Sequence, residues 1–403
     1  MELDLKAGVG VSASSNPFNA GVEAANNAIA QLEGEKADFL IIFSAPKLAH
    51  QKMLNGIATI AKNTPMIGGT TAGEISTYGL SVNSVVVLAL KSDDINFYGG
   101  IGKNISKSEI KAGSELARSV VKKSGANKKH AKSLIMLPDG LAGDGISIIE
   151  GAKKILGENF EIVGGALGDE ANFKNTYQYY NGKIYQNTVV GLLICGNKIK
   201  TSTGVRHGWK SIGSRFKCTM AKGNIVYKFG NKKALDVYRE CLGKSRAKKL
   251  PAIGLEYPMG LIDERAKIGG YDYFYIRCPL AVNEEDGSVT FAASIPEGEE
   301  VTLTYSSRAS IINGSRLAAI QAKKALANSN PRLIMMFSCV ARKMVLGRRT
   351  NVEINAVKKV LGKNIPLIGF YTYGEIGPID KRVPSLASTR WHNETVVLWV
   401  LGQ

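Results

Sequence analysis

The sequence predicts an α/β protein in which repeated β-α-β-α-β-β units form mixed sheets covered by helices. The main observation is a Gly-rich segment that occurs three times, at residues 67–74, 163–170 and 368–375. Each copy starts with an apolar residue followed by glycine and ends with a glutamate. Similarity at a long interval is typical of an internal repeat, which makes the repeat the first determinant of the fold.

The similarity extends beyond the Gly-rich segments. Residues 153–159 (KKILGEN) and 358–364 (KKVLGKN) stand at the same distance before their Gly-rich segments. An apolar run precedes each copy, and a Val-rich segment such as 83–88 follows it. Three copies are therefore predicted, at roughly residues 1–92, 93–197 and 300–403.

Apolar periodicity assigns the elements within each copy. In the first copy it predicts strands at 9–12, 39–44, 66–69 and 85–90 and helices at 19–32 and 48–61. In the second, Ser106 and Glu109 suggest a capping box before a helix at 110–123. In the third, a helix is expected at 310–327. Gly157 and Gly362 are expected to end the second helices of their copies.

Residues 198–299 do not show the repeat pattern. They are expected to contain a hairpin at 217–229, a helix at 232–242, a basic loop at 244–249 and strands at 273–282 and 288–295. If this stretch is a fourth copy whose sequence has diverged, the molecule is a pseudo-fourfold assembly with two lobes. We predict two domains, residues 1–215 and 216–403.

Composition limits the class of protein. A hydrophobic content of 44% and a charged content of 21% are ordinary for a soluble globular chain. No apolar run approaches the roughly 20 residues of a membrane span, and the N-terminus lacks the regions of a signal peptide. The five cysteines contain no CxxC pair, so neither a disulfide framework nor a zinc site is indicated. We expect a cytoplasmic protein.

The net charge of +18 could attract polyanions without sequence preference. Many lysines occur in pairs at predicted helix ends and turns, which is typical of a solvated surface. No basic stripe with interleaved aromatic residues is present. Neither GxxxxGK[ST] nor GxGxxG occurs in the Gly-rich segments, which excludes the common phosphate-binding loops.

Four segments in a fixed order carry a resemblance to a known family: residues 68–75, 206–213, 337–342 and 369–378. The chain resembles FIST-domain proteins, with an N-terminal and a C-terminal FIST half that together cover nearly all of it. The resemblance implies a sensory domain that binds a small ligand, with amino-acid-like ligands favoured and haem a further possibility. Since no output module is attached, the signalling partner would be a separate protein.

Glutamates end the Gly-rich segments, where strand ends place binding residues. Glu74, Glu170 and Glu375 could hold a ligand amine, or they could bond backbone N–H groups and fix the turn. Arg342 follows the apolar strand of the third copy and could clamp a ligand carboxylate. Tyr371 and Tyr373 could line a pocket or pack in the core.

Cys339 and His207 offer alternatives. Cys339 stands at a strand end and could be a nucleophilic thiol or a small core residue. His207, between Arg206 and Trp209, could be its general base, a haem ligand or an ordinary hydrogen-bonded histidine. A thiol-dependent hydrolase or transferase is therefore one alternative function, and a basic nucleic-acid-binding protein is another.

These observations predict a sensory protein with one pocket between its two halves. Glu375 and Arg342 are expected to face a shared cleft and bind the two ends of a zwitterion. The expected pocket residues are Glu375, Tyr373, Arg342, Cys339, Glu74, Arg206 and His207. No metal site is expected, apart from His207 as a haem ligand.

Overall fold

Two repeats share one order of elements in the computed structural model, which describes residues 4–268 and 271–403. Repeat 1 contains β1 (Leu5–Ser12), α1 (Pro17–Ile29), β2 (Phe39–Ser44), α2 (Gln51–Ile60), β3 (Met66–Thr70), β4 (Glu74–Ser76), β5 (Gly79–Ser81) and β6 (Val85–Ser92). Repeat 2 contains β7 (Asn96–Lys103), α3 (Glu109–Ser124), β8 (Ala131–Pro138), α4 (Gly145–Leu156), β9 (Glu161–Gly165), β10 (Gln178–Tyr180), β11 (Lys183–Tyr185) and β12 (Thr188–Cys195). Each of these two repeats thus has a short two-stranded hairpin directly before its last strand: β4–β5 in repeat 1 and β10–β11 in repeat 2.

The third repeat begins earlier than predicted and is interrupted. Its first strand is β13 (Lys200–Arg206), and an insertion follows. The insertion contains β14 (Lys210–Lys222), β15 (Ile225–Phe229), β16 (Lys232–Lys233), α5 (Ala234–Leu242), α6 (Lys244–Ala247), β17 (Met259–Ile268), β18 (Tyr271–Arg277), β19 (Pro279–Val282), β20 (Val289–Phe291) and β21 (Glu300–Tyr305). The repeat resumes with α7 (Arg308–Leu326), β22 (Pro331–Cys339), α8 (Val340–Leu346), α9 (Thr350–Leu361), β23 (Leu367–Thr372), β24 (Glu375–Pro378), β25 (Thr389–His392) and β26 (Val396–Gly402).

The three repeats form sheets with the same strand order. The orders are β1-β6-β2-β3, β7-β12-β8-β9 and β13-β26-β22-β23. In each sheet the second and third strands of the repeat are parallel, because a helix connects them, and the other pairs are antiparallel. The prediction of an α/β protein with mixed sheets covered by helices is confirmed.

The hairpins are exchanged between repeats. The β10–β11 hairpin of repeat 2 completes the sheet of repeat 1 by pairing with β3. The β24–β25 hairpin of repeat 3 pairs with β9, and the β4–β5 hairpin of repeat 1 pairs with β23. Each sheet therefore contains strands from two repeats, and the sheets cross the domain boundary predicted at residues 215 and 216.

The central core lies where the three sheets face one another. It contains apolar side chains from every sheet, including Phe43, Ile135, Phe370 and Trp399. The opposite face of each sheet packs against the helices of its own repeat. Strands that are buried on both faces appear in the sequence as continuous apolar runs, which explains why those runs were the clearest strand signals.

Three glycines occupy equivalent positions in the central strands. Gly68, Gly164 and Gly369 lie beside the parallel neighbour strand of their own repeat. A Cβ atom at Gly68 would lie 1.8 Å from the carbonyl oxygen of Ile42, and the corresponding distances at the other two are 2.0 and 1.8 Å. The expected close packing at the start of each Gly-rich segment is confirmed, since no other residue fits this spacing.

The insertion is not a fourth copy of the repeat. Among the described residues its strands form one sheet, in the order β18-β17-β21-β14-β15-β20-β19 with β16 beside β15, and every pair is antiparallel. It encloses a separate core with α5. The predicted basic loop at 244–249 begins with the short helix α6. In repeat 2, Ser108 rather than Ser106 caps α3.

The described residues, 4–268 and 271–403, lack two features. They contain no helix with both the length and the apolar character that a membrane crossing requires. They also contain no group of three or more His, Cys, Asp and Glu side chains placed to hold a metal ion.

Candidate functional site

Glu74 and Glu375 anchor the Gly-rich turns to the last strand of their repeats. Glu74 accepts hydrogen bonds from the hydroxyls of Thr71 (2.6 Å) and Ser84 (2.7 Å). Glu375 accepts from the Thr372 hydroxyl and from the backbone N–H (3.0 Å) and hydroxyl (2.8 Å) of Thr395. Both side chains are fully buried, and desolvation raises the pKa of each to about 7. These contacts match the turn-fixing role.

Glu170 is not the equivalent of these two residues. Gly69, Gly165 and Phe370 occupy equivalent positions, each directly after the repeated glycine of its central strand. Glu74 pairs with Phe370, and Glu375 pairs with Gly165. The residue that pairs with Gly69 is Gln178, so Gln178 and not Glu170 takes the equivalent place. The alignment of the three Gly-rich segments is therefore wrong at its last position in repeat 2, because that repeat has a longer loop before its hairpin. Asp169 holds the longer loop by accepting backbone hydrogen bonds from residues 173–175.

Arg342 points into the protein and does not share a cleft with Glu375. Its guanidinium forms an ion pair with Glu353, with 2.5 Å between Nη2 and Oε1, and both side chains are inaccessible to solvent. Further hydrogen bonds reach the Ser315 hydroxyl (2.7 Å) and the Ile311 carbonyl (3.1 Å). The predicted clamp on a ligand carboxylate is wrong, because these partners occupy the guanidinium.

Arg206 and His207 also lie away from the cavity described below. Arg206 donates to the carbonyl of Val205 (2.6 Å) and to the side chain of Gln321. The Nδ1 atom of His207 accepts from the backbone N–H groups of Gly208 and Trp209, both at 3.0 Å.

The surroundings of His207 do not fit an axial haem ligand. Its ring packs 4.7 Å from that of Phe274 and 5.7 Å from that of Tyr273, between ring centroids. Desolvation lowers the pKa of the imidazole to about 3, so it stays neutral. An axial ligand offers the lone pair of a ring nitrogen to iron, whereas here Nδ1 accepts two backbone hydrogen bonds and the proton of the neutral ring is on Nε2. Haem binding therefore stays a prediction with no support at His207.

Cys339 and Tyr373, also predicted as site residues, line one cavity of about 670 Å³. The cavity lies between the ends of β8 and β22, the start of α4, and the segment of the insertion around β20. Ligand cavities of several hundred Å³ at the ends of parallel strands are common in α/β proteins. The structure therefore places these two residues on one cavity, and the other five predicted residues are not among its lining: Glu74, Glu375, Arg342, Arg206 and His207.

The sequence pattern alone did not identify the most informative residue of this cavity, Glu394. Its carboxyl group is fully buried, and neither oxygen has a hydrogen-bond partner in the described part of the chain. The Oδ1 atom of the neighbouring Asn393 is buried and unpaired as well. The Cys278 thiol lines the same cavity and is close enough to the Glu394 carboxyl to influence its pKa, but the hydrogen bond of the thiol goes to the Pro279 carbonyl, at 3.7 Å. Buried polar atoms are nearly always paired, so these three oxygens are acceptors that a bound hydrogen-bond donor could satisfy.

The backbone at Glu394 supports this interpretation. Glu394 has a φ of 54°, and the equivalent positions of the other repeats are Asn83 (φ 55°) and Asn187 (φ 56°). Asparagine tolerates the left-handed region better than glutamate does. Strained backbone positions that persist in a protein cluster at functional sites. The signal in the sequence is this change from asparagine to glutamate, at the position directly after Asn393.

No lysine, arginine or histidine is among the described residues that line the cavity. Asp139 accepts from Leu141 N (2.9 Å) and Asn187 N (2.8 Å), and Asp144 caps α4, so both carboxylates are occupied. The exposed apolar side chains at the rim are Leu141, Phe173, Leu280 and Met344. The cavity thus combines an apolar rim with unpaired oxygen acceptors inside.

Burial determines the protonation states inside the cavity. Desolvation raises the pKa of Glu394 well above its usual range, and it raises the pKa of the Cys339 and Cys278 thiols in the same way. The two thiols are therefore uncharged near neutral pH, and burial favours the protonated form of Glu394. A neutral thiol is a poor nucleophile, and the two aspartates that line the cavity, Asp139 and Asp144, are engaged by backbone N–H groups.

Comparison with known proteins identifies the family. The FIST N domain matches residues 38–232, and the FIST C domain matches residues 234–378. The chain belongs to the FIST family. FIST domains are generally sensory domains that bind small ligands, and the suspected resemblance is confirmed over nearly the whole chain.

Curated relatives of this FIST protein carry no assigned function. An uncharacterized protein of Mycobacterium tuberculosis (strain ATCC 25618 / H37Rv) is 26% identical over 54% of this chain, and one of Mycobacterium bovis is 25% identical over 55%. Each match spans 56% of the relative. Among solved structures, a chorismatase aligns with a TM-score of 0.38 and the cyanuric acid hydrolase from A. caulinodans with a TM-score of 0.37. Both are 8% identical to this chain, and each alignment covers at least 98% of this chain and of the solved chain. Likeness at this level carries no information about activity.

Proposed function

We propose that this FIST protein is a sensory receptor that binds an amino-acid-like metabolite in the cavity beside Cys339 and Tyr373. The observation that carries the proposal is the pair of unpaired carboxyl oxygens on fully buried Glu394. The ligand amine would donate hydrogen bonds to Glu394 and to the Oδ1 atom of Asn393. The bound state would then be transmitted to a separate signalling protein in the cell.

The energetics favour a ligand with N–H donors. A buried polar group without a partner costs about 1–3 kcal/mol, so donors that pair with these acceptors recover that free energy on binding. An ammonium group would also favour the ionised form of Glu394. The ligand body would contact the apolar rim, which includes Phe173 and Leu280.

The carboxylate end of such a ligand would lie towards the cavity mouth. The lining offers no cation inside, and Arg342 is held by Glu353. A carboxylate that keeps its hydration avoids the large free energy of burying an unpaired charge. This orientation, amine inside and carboxylate outside, replaces the two-ended clamp expected from the sequence.

The same cavity gives less support to a thiol-dependent enzyme. Catalysis by Cys339 would need a thiolate and a base within hydrogen-bond reach. The raised pKa of the thiol and the absence of histidine from the described lining both oppose it. Nucleic-acid binding stays a prediction from net charge, and retention on heparin that falls steeply with salt would support it.

The test is a ligand screen followed by matched variants. Thermal shift with a panel of amino acids and amines, with haem as a separate arm, identifies a ligand because native-state binding raises the melting temperature. Calorimetry then compares wild type with Glu394→Gln and Glu375→Gln. We expect at least a tenfold loss of affinity for Glu394→Gln and none for Glu375→Gln, a buried carboxyl outside the cavity. A panel without any binder, or equal affinity of wild type and Glu394→Gln, would overturn the proposal.

A further inference from the structure

A second, smaller cavity of about 380 Å³ lies beyond Trp391, whose side chain lines both cavities. Its walls come from α4, β25 and the inserted strands β17 and β18. Ile146 and Ile149 supply apolar surface from α4. The proposed receptor function makes no use of this cavity.

Arg277 is the unusual residue of this second cavity. The side chain lines the cavity although only 5% of the residue is exposed. Its Nε donates to the Ser294 carbonyl (2.9 Å) and its Nη1 to the Ile276 carbonyl (3.0 Å). Across the described ranges no carboxylate forms an ion pair with it, and its remaining contact is with the ring of Tyr275, 5.9 Å from Cζ to the ring centroid. A buried charge is expensive unless it is paired, so this guanidinium lacks a counter-ion.

The acidic residues on the cavity wall do not supply that counter-ion. Asp263 accepts from the hydroxyl of Tyr275, at 3.4 Å. Glu150 pairs with Lys153, with 2.9 Å between oxygen and nitrogen. A second guanidinium, that of the exposed Arg390, lies on the same wall, where it interacts with the hydroxyl of Tyr275 and forms no ion pair with a described carboxylate.

We propose that this cavity binds a small organic carboxylate through Arg277, with Arg390 as a second contact. Arginine presents a planar edge of N–H donors that matches the two oxygens of a carboxylate. The rings of Tyr275 and Trp391 and the side chains of Ile146 and Ile149 offer an apolar body a place to pack. A carboxylate with a small aromatic or aliphatic body satisfies both features, whereas phosphate would leave the apolar walls without a partner.

The experiment uses benzoate as the probe, with inorganic phosphate as a second arm, measured by calorimetry on the full chain at low salt. We expect benzoate to bind wild type, with about tenfold weaker binding to Arg277→Lys, which keeps the charge but loses the planar edge. Arg390→Ala should weaken binding severalfold, and because Arg390 is exposed this variant tests the site even if Arg277→Lys fails to fold. Arg382→Ala, which removes an exposed arginine paired with Asp380, should bind as wild type does.

Three results would overturn the proposal. The first is that benzoate does not bind wild type. The second is that neither Arg277→Lys nor Arg390→Ala changes the affinity for benzoate. The third is that phosphate binds more tightly than benzoate and that this binding depends on Arg277. Amine ligands of the first cavity should bind Arg277→Lys with unchanged affinity, which separates the two sites.

Discussion

Arg342 and Glu353 form an ion pair that is sealed from solvent, with 2.5 Å between Nη2 of the arginine and Oε1 of the glutamate. The carboxylate also accepts from the hydroxyls of Ser315 (2.8 Å) and Tyr371 (2.8 Å). The pair joins α8 and α9 beneath the third Gly-rich segment. Its role is structural, since every charged atom has a protein partner.

Breaking this pair should destabilise the fold strongly. Glu353→Gln or Arg342→Met leaves one buried charge without compensation, and we expect a loss of about 3–5 kcal/mol in the free energy of unfolding. The double variant Arg342→Met/Glu353→Gln should lose less than the sum of the two single variants, because it leaves no buried charge. Chemical denaturation measures all of them. A loss below about 1 kcal/mol in the single variants would contradict the prediction.

Gly369→Ala should also be severely destabilising. The added Cβ atom would lie 1.8 Å from the carbonyl oxygen of Met336, so β22 and β23 must separate. Overpacking of this kind typically costs 1–3 kcal/mol or more, and backbone atoms cannot move aside as a side chain can. Gly213→Ala is the control, because its Cβ atom would meet nothing closer than 3.8 Å. Equal melting temperatures of the two variants would show that the strand spacing is adjustable.

Glu375 should make the folded state less stable as the pH rises. Its pKa of about 7 in the folded protein exceeds the ordinary value of 4.5, so folding retains a proton that the unfolded chain releases. The stabilisation is complete below pH 4.5 and is lost as the pH rises through 7. Between pH 4.5 and pH 7 and above, the free energy of unfolding of wild type should fall by up to about 3 kcal/mol relative to that of Glu375→Gln. Urea denaturation at several pH values measures the difference, with Glu256→Gln, an exposed position, as the control.

Ligand affinity should rise with pH if Glu394 receives an ammonium group. Burial raises the pKa of its carboxyl, and a bound cation favours the ionised form, so binding releases a proton. Calorimetry in buffers of different ionisation enthalpy detects that proton directly. The Glu394→Gln variant should show no such release, whereas pH-independent affinity in wild type would exclude the ammonium contact.

Thiol labelling should distinguish Cys241 from the other cysteines. Cys241 is exposed, and Cys195, Cys218, Cys278 and Cys339 are buried. We expect one rapidly modified thiol per chain with a reagent such as dithionitrobenzoate, and none in Cys241→Ser. Slow modification of Cys339 should become slower still when a ligand fills its cavity. Fast labelling of Cys339 in the folded protein would reopen the enzyme alternative.

The sequence alone determined the α/β class, the three Gly-rich segments and most helices and strands of the repeats. These features follow from local chemistry: apolar periodicity sets helices and buried strands, and glycine marks positions such as Gly68 where two backbones come within contact distance. Cys339 and Tyr373 could also be chosen as site residues, because strand ends and their loops are where binding residues concentrate.

Only the tertiary structure decided which side chains share a site. The hairpins pair with sheets of other repeats, and the insertion separates β13 from α7 by about a hundred residues, so no local pattern reports these contacts. A charged residue such as Arg342 has the same appearance in the sequence whether it meets a ligand or Glu353. Glu394 became visible only when the backbone placed it where the other repeats have asparagine and left its oxygens buried without partners. Burial and pairing are properties of the assembled fold, and they decide which ionisable groups are structural and which remain available to a ligand.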